Sequence, residues 1–181
     1  MDCVSVFRQH LNNSMNIVWF NGPSAKVLHT IPLQQLEIGC NFIEKHRPVH
    51  HVCAYDRQVL EAIKPKADVQ YWTRRVMSQP NFKHVEYKHE IFCSGTLAMS
   101  LARQLQLDHV YIIGCDWQHT NASVYDNLYT WRNFQPKKNS IPRRKLLERM
   151  HTQMPITVVT DRPWKMSTDF ISTKKFLKMI N

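Results

Sequence analysis

Two short loops hold the residues whose types and spacing fit them for chemistry. Asn21-Gly22-Pro23-Ser24 follows the apolar run Asn16–Phe20, and Ser94-Gly95 opens the helix-like Thr96–Gln106. A small residue between a strand and a helix lets backbone approach a phosphate closely. The helix start adds N–H groups with no intrahelical partner and the positive end of the helix dipole. Two such loops in one short chain predict a nucleotide site. Asn21, Gly22, Ser24, Ser94 and Gly95 are its first members. Asn41, Asp56 and Asp116 join them, because each falls at or just beyond the end of an apolar, strand-like run. Each of these residues also has a purely local use: Asn, Gly, Pro and Asp make turns, and Ser and Asp cap helices. Their convergence on strand ends carries more weight than any one of them.

The elements that must position these groups alternate. The pattern predicts strands at 16–20, 36–40, 51–55, 68–73, 83–87, 108–114 and 156–160. Helical segments are predicted at 24–29, 57–63, 96–106, 143–152 and 172–180. Leu97, Leu101 and Leu105 recur at helical spacing, and Val110-Tyr111-Ile112-Ile113 reads as a buried strand. Strands alternating with helices predict an α/β, Rossmann-like three-layer sandwich with a mainly parallel sheet, formed by residues 1–181 as a single nucleotide-binding domain. In such sheets ligands bind beyond the carboxyl ends of the strands. Residues 117–140 read as a long loop, which in a compact domain is usually a lid or binding loop.

Composition limits the alternatives. The chain has 181 residues, 43% of them hydrophobic, enough for a substantial core. No apolar run approaches the roughly 20 residues that span a bilayer. Residues 1–15 lack the apolar core of a secretory signal, so a cytoplasmic location is expected. The five cysteines (3, 40, 53, 93 and 115) are odd in number and have no CxxC spacing. Reduced, buried thiols are the expectation. The ten histidines form no HExxH motif, and adjacent His50 and His51 would face opposite sides of a strand. No protein-built metal site is expected.

Charge is concentrated. Residues 1–131 hold 12 Lys+Arg against 11 Asp+Glu, and residues 132–181 hold 12 against 3, so almost all of the net +10 lies in the last 50 residues. Arg132, Lys137, Lys138, Arg143 and Arg144, with Tyr129 and Trp131 close by, would attract a polyanion such as nucleic acid or a phosphorylated acceptor. A solvated basic face is the alternative use of the same residues.

Over residues 15–160 the chain resembles the bacterial sialyltransferases of the Campylobacter type, which use CMP-sialic acid. It is also similar to the wider set that includes the archaeal 6-hydroxymethylpterin pyrophosphokinases. The resemblance rests on Asn21-Gly22-Pro23-Ser24, Cys40-Asn41, Ser94-Gly95 and Ile113-Gly114-Cys115-Asp116-Trp117, with Asn121–Asp126 similar to the start of that family's lid. It implies that Asn21 and Ser24 contact phosphate or ribose and that Asn41 holds phosphate or base. Asp56 would lie near the nucleoside, Ser94 and Gly95 would receive the phosphate, and Asp116 would organise the strand end and lid. The family's catalytic His has no counterpart near Asn139-Ser140, and its two lid tyrosines align with Gln118 and Val124. His119 and Tyr125, one residue away, become the candidate base and leaving-group donor. The implied function is a glycosyltransferase that moves a sugar from a nucleotide-sugar donor, of the CMP-sugar class, to an anionic acceptor without a metal. A Mg²⁺-dependent pyrophosphokinase-like phosphotransferase and a non-catalytic nucleotide or nucleic-acid binding module are the alternatives.

Overall fold

Eight short strands lie side by side in one sheet in the order β5-β4-β3-β2-β1-β6-β7-β8. They are β1 (Asn16–Trp19), β2 (Leu36–Cys40), β3 (His51–Ala54), β4 (Gln70–Thr73), β5 (Phe82–His84), β6 (Val110–Ile113), β7 (Ile156–Val159) and β8 (Asp169–Ile171). Every pairing is parallel. The helices are α1 (Arg57–Ala62), α2 (Ser94–Gln104), α3 (Pro136–His151) and α4 (Thr173–Ile180), with 3-10 turns at Pro23–Leu28 and Ile43–Lys45. This is a computed structural model, and it describes residues 15–74, 81–86, 93–116 and 136–180, with side chains in the last segment from 141 onward.

A parallel sheet needs cover on both faces, which is why β1, with Asn-Ile-Val-Trp, and β7, with Ile-Thr-Val-Val, are buried along their whole length. The period of two divides the core. Val18, Phe20, Ile38, Cys40, Cys53, Ile112 and Val158 face Leu97 and Leu101 of α2 and Leu146, Leu147 and Met150 of α3. Ile17, Trp19, Val52, Ala54, Ile113 and Val159 face Leu28, Ile43, Leu60 and Phe176 on the other side. The architecture is the α/β sandwich that the alternating pattern predicts. Among the described residues no helix is long and apolar enough to cross a membrane.

A buried ion pair ties the β1–β2 connection to the second face. Glu37 is fully buried and accepts hydrogen bonds from Arg47 Nη2 (2.6 Å), Trp19 Nε1 (2.6 Å) and the Gln34 N–H (2.8 Å). Arg47 Nη1 donates to the carbonyls of Leu28 and His29, both at 3.3 Å, and its guanidinium lies 4.2 Å over the Trp19 ring. The segment leaving Asn21–Ser24 is therefore held from beneath by a fixed charge network.

The structure departs from the pattern in three places. Helix α3 begins at Pro136, so residues 136–140, read as the end of the loop, are helical. Pro142 lies inside this helix rather than just before it. The pattern placed the helix at 143–152, directly after that proline, because a proline is disfavoured inside a helix. Strand β8 was not anticipated: its three residues, Asp169-Phe170-Ile171, begin with an exposed aspartate and form no apolar run. Helix α2 starts two residues early. Cys93 is its extended N-cap, and the Thr96 hydroxyl accepts the Cys93 N–H at 3.1 Å while the Cys93 thiol accepts the Thr96 N–H. The rest of the expected lid, 117–135, lies outside the described residues.

Candidate functional site

Strand order reverses between β1 and β6: the chain runs outward from β1 through β2 to β5, then returns to β6 and runs outward through β7 and β8. At such a switch point the flanking connections diverge and leave a crevice beyond the strands' carboxyl ends. Two hydrogen-bonded clusters stand there, one on each side of β1.

On the β6 side, Asp116 Oδ2 accepts the Ser24 N–H at 2.7 Å, and the Gly22 N–H donates to the Gly114 carbonyl at 2.9 Å. A Cβ on Gly22 would collide with both Asp116 Oδ2 and the Gly114 oxygen, so only glycine allows this approach. Gly114 has φ +77°, a left-handed conformation that turns the chain from β6 toward Asp116. Asp116 is 8% exposed. Asn21 Oδ1 and Ser24 Oγ are buried with no hydrogen-bond partner among the described residues. Unsatisfied buried polar atoms are uncommon, and two of them stand in this one loop.

On the β2–β3 side, Ser94 Oγ donates to Asn41 Oδ1 at 2.7 Å and accepts the Tyr55 N–H at 3.1 Å. Asn41 has φ +55°, a conformation that asparagine tolerates well, and its own N–H donates to the Cys53 carbonyl at 3.0 Å. Helix α2 starts at this point; the Cys93 thiol takes the Thr96 N–H and the Cys93 carbonyl the Leu97 N–H, which leaves the Ser94 and Gly95 N–H groups at the positive end of the helix. Gly95 joins the two clusters, because a Cβ there would meet the Phe20 ring at 2.8 Å, and Phe20 is the residue before Asn21.

The predicted residues thus separate into groups. Asn21, Gly22, Ser24 and Asp116 form one cluster and Asn41, Ser94 and Gly95 the other. Asp56 is the N-cap residue of α1, and its carbonyl accepts the N–H groups of Val59 and Leu60, at 3.1 and 3.0 Å. Its side chain makes no capping bond. Burial raises the pKa of the Cys115 thiol, and the charge of Arg143 opposes that shift. Arg144 Nε is buried without a partner among the described residues. Lys137 and Lys138 fall in the first turn of α3, where side chains are outside the description. His119, Tyr125 and Arg132 lie outside the described residues.

Cys40, Cys53, Cys93 and Cys115 are free thiols, and burial pushes those of Cys40, Cys53 and Cys115 upward, which keeps them protonated and inert. Among the described residues no group of three or more His, Cys, Asp or Glu could hold a metal ion.

Sequence reasoning overlooked Tyr55 and Arg74. Arg74 Nη1 donates to Tyr55 Oη at 2.8 Å, and its guanidinium lies 4.0 Å over the Tyr55 ring. Each directly follows a strand, Tyr55 after β3 and Arg74 after β4, as Asn41 follows β2, and the predicted strand 51–55 hid Tyr55 by taking it in. Compared with known protein families, curated proteins and solved structures, the chain gives no significant match to any of them.

Proposed function

We propose that the crevice between β1 and β6 binds a nucleotide-activated sugar and that the protein transfers the sugar to an anionic acceptor. One observation carries the reading: the two clusters flanking β1 have opposite electrostatic character. On the α2 side, first-turn N–H groups and the helix dipole favour a phosphate above Ser94 and Gly95. On the other side, the Asp116 carboxylate already occupies the Ser24 N–H and would repel a phosphate there. Asp116, Asn21 Oδ1 and Ser24 Oγ offer acceptors instead, which suit the hydroxyl groups of a ribose or a sugar. A ligand carrying phosphate at one end and hydroxyls at the other fits both halves.

In the transfer, an acceptor hydroxyl oxygen attacks the anomeric carbon and the carbon–oxygen bond to the phosphate breaks. The acceptor's proton passes to a base, and the nucleotide leaves with the bonding electrons. His119 is the candidate base and Tyr125 the candidate donor to the leaving phosphate. Arg143, with Arg132, Lys137, Lys138 and Arg144 on the same stretch of chain, supplies the positive charge that would draw in an anionic acceptor.

The test is a thermal-shift panel of CMP, CDP, UDP, GDP and ADP with their sugar conjugates, each with and without Mg²⁺. A ligand at 100 times its Kd adds about 2.7 kcal/mol to stability, or roughly 5–11 °C for a domain of this size. A metal-independent response to one base supports glycosyl transfer and identifies the donor class. A response that requires Mg²⁺ replaces it with phosphotransfer, and binding without turnover leaves a binding module. Silence across the panel removes the nucleotide site.

A further inference from the structure

The Tyr55–Arg74 pair stands beside the phosphate half of the crevice, and its side chains add to the Tyr55 N–H bond to Ser94 already described. Tyr55 is half-buried, and its ring packs against the core cluster below α2. Arg74 is exposed and covers the ring, with its Nη1 anchored on the phenol oxygen. The guanidinium plane is thus fixed by a hydrogen bond and a cation–π contact together, and Arg74 remains open to solvent. The pair is wired to the site through one short chain of bonds: the Tyr55 N–H donates to Ser94 Oγ, which donates to Asn41 Oδ1.

We infer that Arg74, backed by Tyr55, is the stacking surface for the nucleobase of the bound nucleotide. The inference rests on the nucleotide reading of the crevice and assigns its outer end. Phosphate lies over the start of α2, the transferred sugar of the donor lies toward Asp116, and the nucleoside extends in the opposite direction, with its base over the ends of β3 and β4. A delocalised guanidinium already stacked on an aromatic ring is a preorganised platform for a planar base. It is tolerant of base identity, because every base has a π-face.

The experiment measures the affinity of CMP, UMP, AMP and GMP, with ribose 5-phosphate as the probe that keeps sugar and phosphate but has no base. Wild type, Arg74→Ala, Arg74→Lys and Tyr55→Phe are compared, and melting curves verify that each variant is folded. Arg74→Ala is expected to weaken the tightest mononucleotide by between about fivefold and a hundredfold and to leave ribose 5-phosphate unchanged. Arg74→Lys keeps the charge and loses the plane, so it should lose most of the same affinity. Tyr55→Phe keeps the ring and releases the guanidinium anchor, so a smaller loss is expected. Equal weakening of ribose 5-phosphate and nucleotide by Arg74→Ala, with rescue by lysine, would make Arg74 a phosphate ligand and overturn the inference. So would unchanged nucleotide affinity in Arg74→Ala. If no mononucleotide binds the wild type, the nucleotide reading itself fails, and the stacking assignment falls with it.

Discussion

Replacing Ser94 with alanine removes one oxygen that serves two partners. The hydroxyl donates to Asn41 Oδ1 at 2.7 Å and accepts the Tyr55 N–H at 3.1 Å, and Ser94 is 5% exposed. A buried donor or acceptor left without a partner costs about 1–3 kcal/mol. Asn41 is half-buried at the crevice and can turn to water, so most of the loss falls on the Tyr55 N–H. The expected destabilisation is therefore about 2 kcal/mol, equivalent to a fall in Tm of roughly 4–8 °C. Ser100→Ala is the internal control. That serine lies on the same helix, is equally buried, and donates only to the Thr96 carbonyl one turn back. A bond of this kind competes with the helix and contributes little, so its loss should cost less than about 1 kcal/mol. Thermal melts of both variants, with and without the nucleotide that stabilises the wild type best, complete the assay. Ser94→Ala should lose most of the ligand-induced shift and Ser100→Ala should retain it. Equal melting of the two variants, or an undiminished ligand shift in Ser94→Ala, would refute the view that Ser94 joins the strand ends to the site.

Other perturbations test neighbouring parts of the argument. Gly22→Ala drives a methyl into Asp116 Oδ2 and the Gly114 carbonyl, so a stability loss of about 1–3 kcal/mol and loss of nucleotide affinity should show in melts and titrations. Glu37→Ala leaves the Arg47 guanidinium buried without its carboxylate, at a cost of about 3–5 kcal/mol. A fall in Tm on the order of 10 °C is expected, and a fall below 2 °C would deny the ion pair its structural role. Burial lowers the His51 pKa from 6.5 to about 4, helped by nearby His50 and Lys83, and its Nδ1 accepts the Trp72 N–H. The folded state thus holds this ring neutral while the unfolded chain protonates it. Its contribution is complete above pH 6.5 and declines as the pH falls toward 4. Melts of wild type and His51→Gln across that range should show a shallower decline in the variant, and identical slopes would exclude His51 as a source.

The legible part of the molecule was the part governed by short-range rules. Parallel strands buried on both faces write themselves as apolar runs, so β1, β2 and β7 could be located within a residue of their true ends. The residues just past those runs fell at the crevice because an α/β sheet places every strand's carboxyl end on one side. What stayed hidden depended on pairings distant in sequence. The bond from Ser94 to Asn41 spans 53 residues and that from Ser24 to Asp116 spans 92, and no local pattern encodes either. Arg74 was unreadable for the same reason, since its significance lies in the ring of Tyr55, 19 residues earlier and just past the end of the neighbouring strand. Glu37 carries no local signal of its own within the 36–40 run, and only the fold surrounds it with Arg47, Trp19 and the Gln34 N–H.

The Asp116 carboxylate decides how the two loops must be used. Each loop considered alone has the form of a phosphate cradle, and a sequence motif cannot distinguish them. In the folded chain the carboxylate sits against the Gly22 backbone and takes the Ser24 N–H, so the first loop has already satisfied the positive end of its own turn. A phosphate brought there would face a like charge in a half-buried setting, where repulsion between unit charges a few ångströms apart amounts to about 1–4 kcal/mol. Among the described residues no acidic side chain is hydrogen-bonded to Ser94 or its partners Asn41 and Tyr55 at the start of α2. On the proposed reading, the asymmetry gives a nucleotide-activated sugar one orientation, phosphate toward α2 and the transferred sugar's hydroxyls toward Asp116. Neutralising the carboxylate with Asp116→Asn, which keeps an oxygen for the Ser24 N–H, should weaken that preference. Inorganic phosphate should bind the variant more tightly than the wild type, by about fivefold or more, and CMP should bind it less selectively over phosphate. Unchanged phosphate affinity would mean that the first loop never excluded it, and the division of the crevice into a phosphate half and a sugar half would have to be abandoned.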